Sequence, residues 1–176
     1  MRPMRTIYIG LGISICYLLI TIALFFHVSN SVRPAFAAEG IDRDRYLVLP
    51  TPGSMLWRVV GRQPDQYLEA FHSLLKPKRK LQFMYFDTNE KLLEPLSAFE
   101  PVGRLKWFTR GFYAANLENN VVIASDLRMG VEAQYVFRFE VGRHDPASGQ
   151  VAPLSPTVLR RFQPNPERMR WVLTQY

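Results

Sequence analysis

Apolar and polar positions divide the chain into two regimes. Residues 7–28 (IYIGLGISICYLLITIALFFHV) run for 22 positions without Asp, Glu, Lys or Arg. Wound as a helix rising 1.5 Å per residue, the run is about 33 Å long, enough for a hydrocarbon core of roughly 30 Å. Backbone N–H and C=O groups find no water there, so the pattern predicts a transmembrane helix, in which Gly10, Gly12 and Ser14 are tolerable. Residues 29–45 carry Ser, Asn, Pro, Gly and alternating charge with no sustained apolar period, and are expected to be a juxtamembrane linker. A soluble domain is expected over 46–144, opening on the run Tyr46-Leu-Val-Leu49 and a Pro50-Thr-Pro-Gly53 turn.

Within that domain, residues 55–62 are rich in Trp and Val and read as a strand. Residues 66–74 alternate as a second strand, although Tyr67, Phe71, Leu74 and Leu75 also fit a helical face. A turn over 61–65 would join them. Residues 81–86 read as a further strand, and 90–99 and 101–107 as two short helices, with Pro95 too deep for one long helix. Segments 109–117 and 121–127 form a hairpin around Glu118-Asn-Asn120, because asparagine accepts the positive φ of tight turns. Residues 134–141 place Tyr135, Phe137, Phe139 and Val141 on one face of a half-buried strand. The fold class is therefore α+β: an anchor helix, then an antiparallel sheet of four to five strands with two or three short helices. The Pro-rich tail, 145–176, is expected to close on an amphipathic helix over 166–176, with Met169, Trp171 and Val172 packing down.

Composition changes this picture little. The chain is 48% hydrophobic, which excludes intrinsic disorder, and its net charge of +7 drops to +5 beyond Asn30. That excess suits an anionic lipid surface better than a nucleic-acid duplex. The sole cysteine, Cys16, lies inside the span, so the domain has no intradomain disulfide, and His27, His72 and His144 are too far apart in sequence for a metal motif. Arg2 and Arg5 before the apolar run, with Ala35-Phe-Ala37 after it, also resemble a cleavable signal, but the run is long and a polar gap precedes the triplet. A retained single-pass anchor is the expectation, with the domain more readily outside the cytoplasm than inside it.

Two charge clusters are candidate sites. Lys76, Lys78, Arg79 and Lys80 surround Pro77 and suit phosphate headgroups, or else form a solvated loop that guards strand edges. Arg58, Arg110 and Arg128 recur beside aromatics and, with Asp126, could clamp a phosphate through guanidinium forks; alternatively Asp126 pairs with an arginine. Glu69 and His72 are a weak acid–base pair, because positions three apart on a strand face opposite ways. No catalytic or metal-binding residue is assigned. Nucleic-acid binding by Lys76–Lys80 with Phe83 and Tyr85 ranks below both membrane readings.

Five blocks, Leu49-Pro-Thr-Pro52 with Leu56-Trp-Arg-Val-Val60, Tyr67-x-Glu-x-Phe-His-Ser-Leu74, Leu105-x-Trp-Phe-Thr-Arg-Gly-Phe-Tyr113, Asp126-Leu-Arg-Met-Gly130 and Tyr135-Val-Phe-Arg-Phe139, together resemble the carboxyl-terminal region of the membrane-bound metal-dependent hydrolases. This bacterial inner-membrane family includes LexA-regulated members. The resemblance implies a hydrolase-derived module whose metal ligands, of His-x-x-x-His-Asp type, would lie on other membrane helices. This chain carries no such motif. A divalent metal and a multi-span hydrolase partner are then implied only if a second chain supplies the ligands. The alternatives are a non-catalytic tethered domain and a subunit of a split hydrolase acting on a phosphate-bearing or lipid-linked substrate.

Overall fold

The structure, a computed structural model, describes residues 3–51, 53–132, 134–160 and 166–174. One helix, α1 (Pro3–Ala38), is long and apolar enough to cross a membrane. Its first two-thirds stand outside the domain, with Ile7, Tyr8, Ile13, Tyr17, Leu19 and Ile20 all exposed. Its last third does not. Val28, Val32 and Phe36 are each 0% exposed and pack into a core with Tyr46, Val48, Trp57, Val59, Leu68 and Ala70. The expected juxtamembrane linker is therefore helix as far as Ala38. Its i, i+4, i+8 apolar stripe buries against a sheet, and that burial outweighs the poor helix propensity of Ser29, Asn30, Ser31 and Pro34.

The fold is α+β. Strands β1 (Tyr46–Pro50), β2 (Leu56–Arg62), β3 (Gln66–Ser73) and β4 (Met84–Asp87) form one antiparallel sheet in chain order. Helix α2 (Glu100–Thr109) follows a 3-10 turn at Glu90–Leu93. A second antiparallel sheet, in the order β10-β9-β6-β5, comprises β5 (Tyr113–Glu118), β6 (Val121–Asp126), β9 (Arg138–His144) and β10 (Val151–Arg160). The short β7 (Gly130–Val131) and β8 (Gln134–Tyr135) pair beside it, and α3 (Pro166–Leu173) follows.

Three apolar clusters show how these pieces stack. The end of α1 covers one face of the first sheet. Val60, Tyr67, Phe112, Ala114, Leu127 and Tyr135 fill the space between the sheets. Leu93, Leu96, Val102 and Leu105 cover the far face of the second sheet, on Tyr113, Ala115, Val122, Ala124 and Val141. The order is helix, sheet, sheet, helix. Strand β2, between α1 and the second sheet, buries both faces and is buried at six of its seven positions.

Several local expectations change. The 66–74 ambiguity resolves to strand, while Gly61 lies inside β2 and the turn contracts to 63–65. A Cβ on Gly61 would stand 2.5 Å from Leu68 and 2.6 Å from Phe36, so α1 approaches the sheet closely only because that side chain is missing. The 109–112 stretch ends α2 instead of starting a strand, but the hairpin turn holds, with Asn119 at φ 49° and Asn120 at φ 63°. The strand expected over 134–141 breaks at Val136–Phe137. Tyr135 therefore enters the inter-sheet core, while Phe139 and Val141 face α2. The Pro-rich tail contributes β10, whose prolines are tolerated because it is an edge strand with an irregular register between Pro153 and Val158. Trp171 of α3 packs edge-on against Phe71 at 5.6 Å; the side chains of Met169 and Val172 lie outside the described residues.

Candidate functional site

Three of the four residues of the phosphate clamp, Arg58, Arg128 and Asp126, are paired within the protein, and the fourth, Arg110, is exposed. Arg58, 3% exposed on the inner face of β2, donates from Nε and Nη2 to Glu69 Oε2 at 2.9 and 2.7 Å, and from Nη1 to the Leu127 carbonyl at 2.6 Å. It therefore ties the two sheets together. Arg128 grips Asp126 through a fork, Nε to Oδ1 at 2.9 Å and Nη2 to Oδ2 at 2.6 Å, and lies over the Phe108 ring at 4.3 Å. This hydrogen-bonded carboxylate pushes the Arg128 guanidinium further up. Arg110 caps α2 in a left-handed conformation, φ 52°, with Gly111 next to it at φ 86°. Helix termination fixes its place. The structure thus brings Asp126 and Arg128 together, commits Arg58 to a buried pair, and does not gather the three arginines around an open concavity.

Sequence reasoning missed the polar chain that continues from Arg58. The Tyr67 hydroxyl donates to Glu132, the Tyr135 hydroxyl donates to Tyr67 at 3.1 Å, and the Glu132 amide reaches Glu69 Oε2 at 3.3 Å. Burial, with the Glu132 carboxylate close by, pushes the Tyr67 phenol well above its usual range. Burial and Glu69 do the same to Tyr135. Both phenols stay protonated and act as donors. The available signal was the alternation that sets Arg58, Tyr67 and Glu69 on one face of paired strands. Glu69 and His72 do point to opposite faces: Glu69 lies between the sheets and His72 faces α1.

His72 marks the end of the domain at which the exposed part of α1 leaves it. Burial and the nearby His27 of α1 both lower its pKa, and its Nε2 is buried without a hydrogen-bond partner. Phe25 of α1 lies 6.4 Å from Trp57, the register partner of His72. At the opposite end of the same sheet, Phe36 stacks on Tyr46 at 4.4 Å. The exposed part of α1 therefore leaves the domain at the Trp57/His72 end. Strand β3 finishes there at Ser73, and the chain passes directly into the loop of Lys76, Lys78, Arg79 and Lys80, all exposed.

On the far side of the molecule, Pro101, Leu105, Phe108, Phe139 and Val141 line an apolar groove of about 360 Å³, with the Glu100–Arg104 ion pair at its mouth. Among the described residues, no three His, Cys, Asp or Glu side chains gather so as to hold a metal ion. Comparison with protein-family models, with curated proteins and with solved structures gives no match.

Proposed function

We propose that this chain is a single-pass protein of a bacterial inner membrane whose domain is a non-catalytic module, held on the bilayer surface by a helix that is also part of its core. The observation that carries this reading is the burial of Val28, Val32 and Phe36 in the domain while the 20 residues before Val28 remain apolar and largely exposed. The same burial favours a retained helix over a cleaved signal. Cutting after Ala37 would strip the apolar cover from Val48, Val59 and Leu68. The internal pairing of Arg58 with Glu69 and of Arg128 with Asp126 favours a binding or scaffolding module over a phosphate-handling one.

On this reading, the blocks that resemble the metal-dependent hydrolases are a scaffold used without catalytic helices. A divalent metal or multi-span partner would enter only through another chain. Arg2 and Arg5 lie on the cytoplasmic side and the domain lies outside. The experiment is alkaline carbonate extraction of membranes containing the full chain, followed by protease treatment of spheroplasts. The protein should stay in the membrane at full length, with the domain accessible from outside. Release into the aqueous fraction, or a shortened chain beginning near residue 38, contradicts the anchored reading. Turnover of a phosphate ester by the purified chain contradicts the non-catalytic one.

A further inference from the structure

We infer that the loop of Leu75, Lys76, Lys78, Arg79 and Lys80, with Met55 beside it, is a docking surface for anionic lipid headgroups of the bilayer that α1 crosses; the inference rests on the anchored reading above. Helix length supplies the first argument. Twenty residues, 7–26, already span a hydrocarbon core of roughly 30 Å at 1.5 Å each. Headgroup layers add about 5–7 Å on each side, or four to five helical residues. Those residues begin at His27, and Val28 is already fully buried in the domain. The helix thus has no spacer that could lift the domain away from the lipid.

Chain direction supplies the second argument. Helix α1 runs from Phe25, near Trp57, to Phe36, on Tyr46, so the Trp57/His72 end of the first sheet faces the membrane. The Leu74 amide donates to the Met55 carbonyl at 2.8 Å, tying the start of the loop to the turn before β2 at that same end. The Lys76 and Arg79 amides then close turns on Ser73 and Lys76. The backbone is therefore shaped, not a trailing linker.

Composition supplies the third argument. Residues 70–86 contain four cations and no Asp or Glu. Leu75 is 63% exposed and Met55 43% exposed, so two apolar side chains lie beside the charges. Cations with adjacent apolar side chains match the charged and acyl layers of a headgroup region. A loop serving only to keep strand edges apart needs the charges but has no use for an exposed Leu75 and Met55 at its base. Each cation is worth about fivefold in partition onto an anionic surface, so Lys78, Arg79 and Lys80 together contribute on the order of a hundredfold.

The test uses the full chain in nanodiscs of phosphatidylcholine alone or with a third phosphatidylserine. A spin label is placed at residue 75 in a C16S background, and its depth is read from relaxation by oxygen against a water-soluble nickel chelate. The native Cys16, labelled in a parallel sample, reports mid-bilayer depth and tests the anchor separately. With phosphatidylserine the label at 75 should read headgroup depth, and it should become water-exposed in phosphatidylcholine or when Lys76, Lys78, Arg79 and Lys80 are changed to Gln. A label that stays in water with phosphatidylserine, while Cys16 reads mid-bilayer, overturns the inference without touching the anchor. Equal depth in both lipids and in the Gln variant also overturns it, because charge recognition is then absent. A domain label at Gln63, at the far end of the sheet, should remain in water throughout.

Discussion

Arg58 and Glu69 face each other between two sheets with almost no solvent, and neither charge is tolerable there alone. Changing Glu69 to Ala should therefore destabilise the domain by about 3–5 kcal/mol, measured by urea unfolding in detergent, and the R58M/E69L double variant should recover much of that loss. Gly61 makes a second prediction. A methyl group at that position meets Leu68 and Phe36 well inside contact distance, so G61A should cost about 1–3 kcal/mol even though alanine is the better strand former. The titrating groups set pH limits on both sides. Burial and the Glu90 carboxylate push the Tyr113 phenol up to about 12 from an ordinary value near 10, so the unfolded chain releases this proton first and stability falls as pH rises from 10 to 12. His72 works in the opposite sense. Its lowered pKa means that the unfolded chain binds the proton first, so stability falls as pH drops below 6.5, and H72Q should flatten that acid limb of a Tm–pH profile. At this scale the residue types were legible and their partners were not. The arginines beside aromatics were visible, but the alternation that puts Arg58 inside the sandwich needs the second sheet before it means burial.

Helix α1 shows where an element was legible and where it was not. Its exposed apolar part announces itself by composition. Its continuation does not, because only three positions in nine, 28, 32 and 36, are strongly apolar, and their i, i+4 spacing gains meaning only when a sheet lies opposite. Strand β10 escaped notice for a related reason: its prolines read as tail, yet an edge strand can spare the donors they lack. The α2 helix and the Asn119-Asn120 turn were legible because local chemistry sets them, through a proline at the helix start and side chains that accept positive φ. The helix continuation predicts an asymmetry along α1. F36A should destabilise the domain by about 3–5 kcal/mol, since the ring is wholly buried against Tyr46, whereas I13A in the exposed apolar part should leave domain unfolding unchanged. A shortened chain starting at residue 44 should aggregate, because Val48, Val59 and Leu68 would be left open.

For the whole molecule, the order of helix, sheet, sheet and helix means that each layer is covered by its neighbours, and the end of α1 is the outer cover on one side. The long helix and the domain are then one mechanical unit, and on the reading proposed above the basic loop would meet the headgroups because the unit has no joint at which to bend away. Hydrogen exchange of the backbone amides at 32, 33 and 35–38, in the full chain reconstituted into nanodiscs, tests this most directly. Amides within an uninterrupted core helix exchange only when the whole domain opens, so protection there should match that of Val59 and Leu68 in the first sheet and fall with them in F36A. Exchange of those amides within seconds, while the sheet stays protected, would make the segment a flexible tether and contradict the account.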